Sequence, residues 1–521
     1  MSEVRERTRD LAAERLTTTA PSRRIPKLDC EFLIVGAGLS GLATAVYLQK
    51  IGFEDIILLD RSHTLGGTWR DNTYLGCTVD LPTIYYSFSF EPLFDWSTFY
   101  APQSELFSYC QMVATKYGLH EKIRCDSLVT ACRYDAESNV WFTDLADGRR
   151  FVSRYLTVAT GLFSTPNLPD IEGIERFRGK VFHSTAWDHS YDFNGKIAAV
   201  IGNGATGVQI IPEVAELVDR LDVYQRTPTW VLPKPSKPLS PRMKWMLKHV
   251  PGFAYLLRQL AFLIIDIPLY GILTDHPRFR WLGKRLERMC VEYVRRELPD
   301  PDMQAKMIPS FDFGCRRPTW SSKFYKAFLR PNVALITDGI ARITEDSVIT
   351  TDGRERKVDA IILATGFRRG ERHTQPTIPI YGKTGEELED YWEAEGRQAF
   401  KGVSITGFPN LFLIFGPYSV VSLSFIRMME ASVFHIARVM RAARRRGANY
   451  VEVTPQAQAR DQALMTRLSA RNIFLHGNCV GALPGDTLKA PRGGLRPRNS
   501  FVSWLEQRTF SLSSYVFARK D

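Results

Sequence analysis

The chain has 521 residues, of which 44% are hydrophobic and 24% charged, and its formal net charge is +12. This composition excludes a disordered or fibrous chain and is typical of a globular protein of about three domains. The positive charge favours anionic ligands such as nucleotide phosphates. Because no basic module of the nucleic-acid-binding kinds is present, we do not expect nucleic acid to bind.

The N-terminal residues and the cysteines bear on the cellular compartment. Residues 1–28 are charged and lack the apolar core of a signal peptide, so we interpret them as a flexible or surface-docked arm. The eight cysteines show neither a C-x-x-C pair nor the spacing of a metal site. We therefore expect no metal ion, a reduced chain and a cytoplasmic location. The missing pair also argues against a disulfide reductase.

The first glycine-rich motif follows an apolar strand. Residues 30–35 lead into Gly36, Gly38 and Gly41 in G-x-G-x-x-G spacing, and an apolar helical pattern comes next. Such glycines allow a tight turn, a close approach of the backbone to a pyrophosphate and close packing of helix on strand. Asp60 lies 24 residues after Gly36, where a carboxylate can bind an adenosine ribose and disfavours a 2′-phosphate. This site therefore suits FAD or NAD.

A glycine pair and several aromatic residues come soon after the first motif. Gly66 and Gly67 precede Thr68 and Trp69, and a loop with this composition suits the close approach of a flat ring system. An ordinary turn with a core tryptophan is the alternative. The cofactor contacts predicted in this part of the chain are Gly67, Thr68, Trp69, Asp80, Tyr86 and Val129.

The second glycine-rich motif carries a different residue at the equivalent strand end. An apolar strand at 197–201 leads into the predicted nucleotide-binding residues Gly202, Gly204, Ala205, Thr206 and Gly207. Arg226 lies 24 residues after Gly202 and is followed by Thr227. Since a guanidinium can pair with a 2′-phosphate, the contrast with Asp60 assigns FAD to the first motif and NADPH to the second.

A partial internal repeat organises the chain. Each glycine motif is followed by a predicted β-meander and by a strand that ends in Ala-Thr-Gly, at 159–161 and at 364–366. The predicted fold is α/β, with two dinucleotide-binding, Rossmann-like domains that carry β-meanders, and a helical insert in the NADPH domain. The predicted parts are an arm at 1–28, an FAD-binding part at 29–170, an NADPH-binding part at 171–355 with an insert at 242–308, and a second FAD-binding part with the tail at 356–521.

The most apolar segment, residues 254–273, lies in the predicted insert. Arg258, Gln259, Asp266 and Pro268 interrupt it, so we do not expect a membrane span. A buried helix that lines an apolar substrate channel is the preferred interpretation, and a helix that lies on a membrane surface is the alternative. The paired Arg316 and Arg317 follow this insert and could reach both nucleotides.

Two further patterns resemble those of the type I Baeyer–Villiger monooxygenases. The segment FRGKVFHSTAWD matches the fingerprint F-x-G-x-x-x-H-x-x-x-W-[P/D], and Gly66, Gly67, Trp69, Tyr74, Gly76 and Asp80 match a second pattern. The fingerprint residues are Phe177, Gly179, His183, Trp187 and Asp188. The resemblance covers about residues 29–447. The chain departs from the family pattern at Leu75, at Arg316, where a lysine is usual, and in the tail from Asn478 to Arg498.

The resemblance implies FAD and NADPH as cofactors and an ester or lactone as product. In the family, O₂ adds to the reduced flavin, and the resulting C4a-peroxyflavin attacks the carbonyl of a ketone. By position, Arg317 resembles the active-site arginine that stabilises the anionic species, and Asp80 resembles the carboxylate that orients it. Arg226, Thr227 and Arg316 would hold the 2′-phosphate. His183 is expected to fix backbone between the two domains, and Trp187 to pack.

Three functions remain open at this point. The first is a Baeyer–Villiger monooxygenase that acts with O₂ on a hydrophobic ketone. The second is an N- or S-oxidising flavin-containing monooxygenase, which needs less anion stabilisation and is disfavoured by Arg317 with Asp80. The third is a non-catalytic flavoprotein, which two complete glycine motifs disfavour.

Overall fold

The computed structural model describes residues 26–235, 237–368, 371–419, 424–473, 478–479 and 496–520. Most of the predicted arm and residues 480–495 of the tail lie outside the described residues. Within the described ranges, the strands in chain order are β1 Cys30–Val35, β2 Ile56–Leu59, β3 Ile123–Arg124, β4 Val129–Asp135, β5 Val140–Leu145, β6 Arg150–Val158, β7 Lys180–His183, β8 Ile197–Ile201, β9 Arg220–Tyr224, β10 Val231–Leu232, β11 Thr319–Trp320, β12 Val333–Ile336, β13 Ile340–Ile343, β14 Ser347–Thr350, β15 Glu355–Lys357, β16 Ala360–Leu363, β17 Ile380–Tyr381, β18 Leu411–Leu413, β19 Tyr450–Val453 and β20 Tyr515–Ala518.

In the two nucleotide-binding units the helices alternate with these strands, whereas in the insert one helix follows another. Within the same described ranges they are α1 Leu39–Lys50, α2 Thr68–Asp71, α3 Gln103–Lys116, α4 Ala205–Val214, α5 Pro241–His249, α6 Phe253–Ala261, α7 Ile267–Leu273, α8 Pro277–Glu297, α9 Pro301–Met307, α10 Phe324–Ala327, α11 Leu388–Glu395, α12 Phe425–Arg445, α13 Pro455–Ser469 and α14 Ser500–Thr509.

The first sheet holds the first glycine motif at the end of β1, one of its interior strands. Its order is β17-β4-β5-β6-β1-β2-β3, and β18 pairs with β6. The β1 strand is almost completely buried and lies parallel to β2 and β6, as expected for an apolar strand that is covered on both faces. Strands β4, β5 and β6 form the predicted antiparallel meander.

The second sheet repeats this arrangement around the second glycine motif. Its order is β12-β9-β8-β16-β7, and all its pairings are parallel. The second meander, β13-β14-β15, forms a small antiparallel sheet of its own. The α/β fold with two dinucleotide-binding units, meanders and a helical insert is therefore confirmed.

Strand β16 lies in a different unit from the one that the sequence indicates. The sequence assigns residues from 356 onward to the FAD-binding part, but β16 pairs with β7 and β8 of the second sheet. The reason is physical: an isolated apolar strand of four residues has no local feature that specifies which sheet will take it up.

The apolar segment of the insert forms one continuous helix, in which a π-helical turn at Phe262–Asp266 joins α6 to α7. By length and composition, Phe253–Leu273 is the one helix of the described ranges that could cross a membrane, and 28% of its most apolar window is buried. The prediction of a buried helix is wrong for α6, because none of its residues is buried. It holds for α7, in which Leu269 and Ile272 are buried. Composition alone does not reveal which apolar residues find a packing partner.

Candidate functional site

A single cavity of about 1510 Å³ lies between the two glycine motifs. A pocket for one drug-sized ligand measures about 300–1,000 Å³, so this cavity has room for more than one such ligand. Gly36 and Gly38 line it on one side, and Gly202 and Gly204 line it on the other. The tertiary structure thus brings both predicted nucleotide sites to the same space.

The first glycine motif is closed to any side chain at the positions that shape the turn. Gly36 has φ +108°, and a Cβ there would lie 2.6 Å from the carbonyl oxygen of Ala159. A Cβ on Gly41 would lie 1.9 Å from the carbonyl oxygen of Gly36, so α1 can pack on β1 only through a glycine. Gly38 lies against Gly67, because a Cβ on Gly38 would lie 3.5 Å from the Cα of Gly67. Two loops of bare backbone therefore meet at the cavity edge, which fits a pyrophosphate.

Asp60 is held rigidly at the end of β2. Its carboxylate accepts hydrogen bonds from the backbone N–H of Ala37 at 2.8 Å and of Ser62 at 3.1 Å, and from the guanidinium of Arg70 at 2.9 Å. The side chain is buried and lines the cavity. A carboxylate fixed in this way can accept further hydrogen bonds from ribose hydroxyls, as the FAD assignment requires.

The other predicted contacts on the flavin side also line the cavity. They are Gly67, Thr68, Trp69, Asp80, Tyr86 and Val129. The rings of Trp69 and Tyr86 meet edge to face, with 5.6 Å between their centroids. Burial raises the pKa of Tyr86, so its hydroxyl stays protonated at neutral pH. These aromatic side chains form an apolar wall beside the first glycine motif.

The second glycine motif has the same geometry. Gly202 has φ +104°, and a Cβ there would lie 2.6 Å from the carbonyl oxygen of Ala364; a Cβ on Gly207 would lie 2.3 Å from that of Gly202. The alanine of each Ala-Thr-Gly sequence therefore closes the glycine turn of its own unit. Gly204 faces open space, with nothing within 4 Å of a Cβ. Ala205 and Thr206, at the start of α4, line the cavity beside it.

Three cationic residues lie around the second site. Arg226, Arg316 and Arg317 all line the cavity, as does Thr227. Burial lowers the pKa of Arg316, and the positive charge of Arg226 lowers it further. Two guanidinium groups that repel each other gain when an anion lies between them, so this arrangement fits a phosphate group.

Arg317 is placed against an aromatic ring. Its guanidinium carbon lies 4.7 Å from the ring centroid of Phe425, a cation–π contact that restricts the side chain. Phe425, Ile426 and Met429 belong to the first part of α12 and line the same cavity. The guanidinium therefore lies beside an apolar surface, where its charge acts more strongly than it would in water.

Asp80 is paired with a residue that sequence reasoning missed. Within the described residues, its ion-pair partner is Lys234, with Nζ 3.3 Å from Oδ1, and not Arg317 as expected. The amide of Gln209 donates a second hydrogen bond to the same oxygen at 2.9 Å. Burial raises the pKa of Asp80, while Lys234 and Gln209 oppose that shift.

Lys234 and Gln209 also hold the surrounding backbone. The ammonium of Lys234 donates to Thr78 Oγ1 at 2.7 Å and to the carbonyl oxygen of Val79 at 3.0 Å, and burial lowers its pKa. Gln209 lies on α4 of the second unit and accepts a hydrogen bond from the hydroxyl of Tyr74 in the first unit at 3.0 Å. No sequence signal identifies Lys234. The position of Gln209 just after the second glycine motif is the only indication of its role.

The fingerprint residues lie outside the cavity lining. Phe177 is buried in the core of the second sheet, and a Cβ on Gly179 would lie 2.3 Å from the carbonyl oxygen of Asp359. Trp187 contacts the ring of Phe182 edge to face at 5.0 Å, and Asp188 pairs with Lys180 at 2.6 Å. These contacts place the segment as the edge strand of the second sheet.

His183 connects that edge strand to the second Ala-Thr-Gly turn. Its Nδ1 accepts a hydrogen bond from the backbone N–H of Thr185 at 3.3 Å, so Nε2 carries the proton and donates to the carbonyl oxygen of Gly366 at 3.0 Å. Burial lowers the pKa of His183, so the imidazole is neutral at pH 7. Gly366 itself lines the cavity. This geometry agrees with a role in fixing the backbone.

The expectation of a fully reduced chain is wrong. Cys315, directly before Arg316, forms a disulfide with Cys479, with 5.2 Å between the two Cα atoms. The two residues are 164 positions apart, and no spacing rule connects cysteines at such a separation. The other described cysteines are free thiols.

Comparisons with known proteins show the family of the chain. The profile of the pyridine nucleotide-disulphide oxidoreductase family matches residues 33–252. A Baeyer–Villiger monooxygenase of Pseudomonas aeruginosa is 34% identical over 472 residues, which are 90% of this chain and 87% of that protein. Another, from Streptomyces coelicolor, is 34% identical over 409 residues, 78% of this chain and 77% of that protein.

Solved structures give the same result. An oxidised steroid monooxygenase bound to NADP has a TM-score of 0.83 at 26% identity, and the match covers 94% of this chain and 100% of that chain. The OTEMO complex with FAD and NADP has a TM-score of 0.82 at 25% identity, and the match covers 95% of this chain and 100% of that chain.

Two glycine motifs that face one cavity fit a flavoprotein with two dinucleotide cofactors, and its relatives identify it as a monooxygenase. The chain belongs to the Baeyer–Villiger monooxygenase family. It uses FAD and NADPH, and the residues around the cavity fit both nucleotides.

Proposed function

We propose that the substrate is a hydrophobic ketone, into which the enzyme inserts one atom of O₂ next to the carbonyl to give an ester or lactone. The observation that carries this proposal is the placement of Arg317 in the cavity shared by both nucleotide sites. When bound, FAD and NADPH supply the chemistry that activates O₂. The protein must then stabilise negative charge, position the carbonyl and exclude water.

Arg317 is the proposed catalytic residue. Its guanidinium carries a permanent positive charge, and Phe425 restricts its position. A fixed cation beside an apolar wall stabilises an oxyanion without the reorganisation that water would require. This need for a strong cation favours ester formation over N- or S-oxidation, which requires less charge stabilisation.

Asp80 is proposed to act through the network around it rather than by an ion pair with Arg317. The carboxylate lies in the cavity lining and is neutralised by Lys234. Gln209 connects it to α4, which begins at the second glycine motif. The network therefore supports a role in fixing the position of the first nucleotide-binding unit relative to the second.

The apolar part of the cavity supports the ketone assignment. Leu269 and Leu273 of α7 and Ile426 and Met429 of α12 line it near the arginines. Such side chains bind a hydrocarbon skeleton and offer few hydrogen bonds, so specificity follows from shape. Arg226, Thr227 and Arg316 are proposed to bind the 2′-phosphate of NADPH.

We also propose a cytoplasmic location and keep the predicted domain limits, except that β16 lies in the sheet of the second unit. The six described free cysteines, Cys30, Cys77, Cys110, Cys125, Cys132 and Cys290, support the cytoplasm as the compartment, whereas the disulfide between Cys315 and Cys479 argues against it.

The test is a product analysis with purified enzyme, FAD, NADPH and O₂. A panel of cyclic and long-chain ketones is offered beside a thioether, and products are followed by mass spectrometry. We expect at least one ketone to gain one oxygen as an ester or lactone, with NADPH consumed in proportion. Oxidation of the thioether without any ester from the panel would contradict the ketone proposal and favour heteroatom oxidation.

A further inference from the structure

The helical insert carries several exposed apolar side chains, which together we call the insert surface. Its residues are Trp245, Val250, Tyr255, Leu256, Leu260, Leu263, Ile264 and Trp281. Leu256 is 63% exposed and Ile264 is 64% exposed, although side chains of this kind are usually inside. Single exposed apolar residues are ordinary, but a cluster of this size on one subdomain marks a binding surface.

Four exposed apolar residues of the helix Phe253–Leu273 follow one face. Leu256, Leu260, Leu263 and Ile264 are spaced by four, three and one residues, which places them in one stripe of an α-helix. The stripe extends roughly 12 Å along the axis. Helices α5 and α8, which carry the two tryptophans, pack on α6 and α7 respectively.

The opposite face of the helix is attached to the body of the protein. Asp266 is buried and accepts hydrogen bonds from the hydroxyl of Tyr85 at 2.5 Å and of Ser500 at 2.7 Å. Arg258 lies 3.8 Å from the buried carboxylate of Glu430. A helix inserted across a bilayer would break these contacts and place Arg258 and Asp266 in lipid, so the geometry excludes a span. It permits the helix to lie in the plane of an interface with its apolar stripe facing outward.

The charge of the insert identifies the partner. Residues 242–308 contain twelve lysines and arginines and seven aspartates and glutamates. Arg242, Lys248, Arg278 and Arg285 are exposed on the helices beside the stripe. A basic, tryptophan-containing rim around an apolar stripe is complementary to a bilayer with negatively charged headgroups.

We propose that the insert surface binds the face of a membrane that contains anionic lipids, with the stripe of α6 entering the boundary between headgroups and acyl chains. A second copy of this chain is a poorer occupant, since a two-fold contact would bring two basic inserts together. The same helix continues into Leu269 and Leu273, which line the cavity. The bound membrane would therefore lie beside the part of the insert that leads to the active site. Lipid binding does not depend on the proposed ketone chemistry.

The test is co-sedimentation of the FAD-loaded full chain with vesicles of phosphatidylcholine alone and of phosphatidylcholine with phosphatidylglycerol. We expect binding to the mixed vesicles that weakens with added salt. The triple variant Leu256→Ser, Leu260→Ser, Ile264→Ser should bind at least about tenfold more weakly, because it removes apolar contacts with the acyl chains. Since these side chains are exposed, the variant should keep its flavin spectrum and thermal midpoint.

A matched control replaces three exposed leucines elsewhere. Leu168→Ser, Leu217→Ser, Leu329→Ser should bind vesicles like the unaltered chain, because these positions lie outside the insert. Equal loss in both triple variants, or no binding to mixed vesicles at low salt, would overturn the proposal. So would a dimer in analytical ultracentrifugation that only the insert variant abolishes, because the surface would then be covered by a second copy.

Discussion

At the scale of single residues, two arginines that line the cavity have separable tasks. Arg226 follows β9 and lies close enough to Arg316 to lower the pKa of that residue. Arg317 instead contacts the ring of Phe425 on α12. The first arrangement suits a phosphate, and the second suits an anion that develops during the reaction.

The variant Arg226→Gln should raise the KM for NADPH by about tenfold to a hundredfold and leave the KM for NADH nearly unchanged, because only NADPH carries the 2′-phosphate. Steady-state kinetics with both cofactors measures the difference. Arg178→Gln is the control, since Arg178 is exposed and pairs with Glu345 away from the cavity. Equal losses with NADPH and NADH would remove the argument for phosphate recognition.

The variant Arg317→Ala should leave reduction of FAD by NADPH largely intact under anaerobic conditions, and should lower ester formation by about a hundredfold or more. Rapid-mixing absorbance measures the reduction, and product analysis measures the ester. Arg317→Lys keeps the charge and should retain part of the activity. Normal ester output from Arg317→Ala would rule out the assigned role.

At the scale of the elements, the short strand β10 determines the environment of Asp80. It pairs with β11, and the chain that follows brings Lys234 into contact with Thr78, Val79 and Asp80. Burial alone would favour the protonated form of Asp80, and the ammonium group opposes this. An element from a different part of the chain thus limits the rise in the pKa of Asp80 that burial causes.

The variant Lys234→Met should raise the pKa of Asp80 further, because the cation that lowers it is removed. The acid limb of the kcat/KM profile for the ketone should therefore move to higher pH. Lys323→Met is the control, since Lys323 pairs with Glu213 at the surface. An unchanged acid limb would show that Asp80 does not control the reaction.

At the scale of the whole molecule, the C-terminal segment completes the core around α12. His435 is fully buried on α12, with Nδ1 2.5 Å from Oε1 of Gln507 and Nε2 2.5 Å from the hydroxyl of Tyr515. Burial lowers its pKa from 6.5 to about 3, and the nearby charge of Lys401 contributes to the shift. Asp461, on α13, acts in the opposite direction.

This histidine should make folding sensitive to acid. The unfolded chain binds a proton on His435 below pH 6.5, whereas the folded chain does so only near pH 3. The free energy of unfolding should therefore fall by about 2 kcal/mol between about pH 7.5 and about pH 5 through this group. Denaturant unfolding at both pH values, compared between the unaltered chain and His435→Gln, measures the contribution.

The variant should be less stable at both pH values and should lose less stability on acidification. The control is His249→Gln, since His249 is exposed. An acid-dependent loss in His435→Gln equal to that of the unaltered chain would contradict the assignment.

Local features of the sequence determined the two nucleotide sites. Glycines at fixed spacing after apolar strands predicted tight turns, because such a turn depends on backbone sterics within a few residues, and Gly36 and Gly202 lie at positive φ in those turns. The residues at the two strand ends, Asp60 and Arg226, likewise followed from their distance along the chain. Both line the cavity as expected.

The tertiary structure alone decided which distant groups meet. The pairing of Asp80 with Lys234, the disulfide between Cys315 and Cys479, and the uptake of β16 into the second sheet all join residues with no common local pattern. The exposure of α6 was likewise decided by the tertiary structure and not by a local pattern. A periodic pattern encodes that a residue can be buried, but its partner depends on packing between segments that are far apart in the sequence.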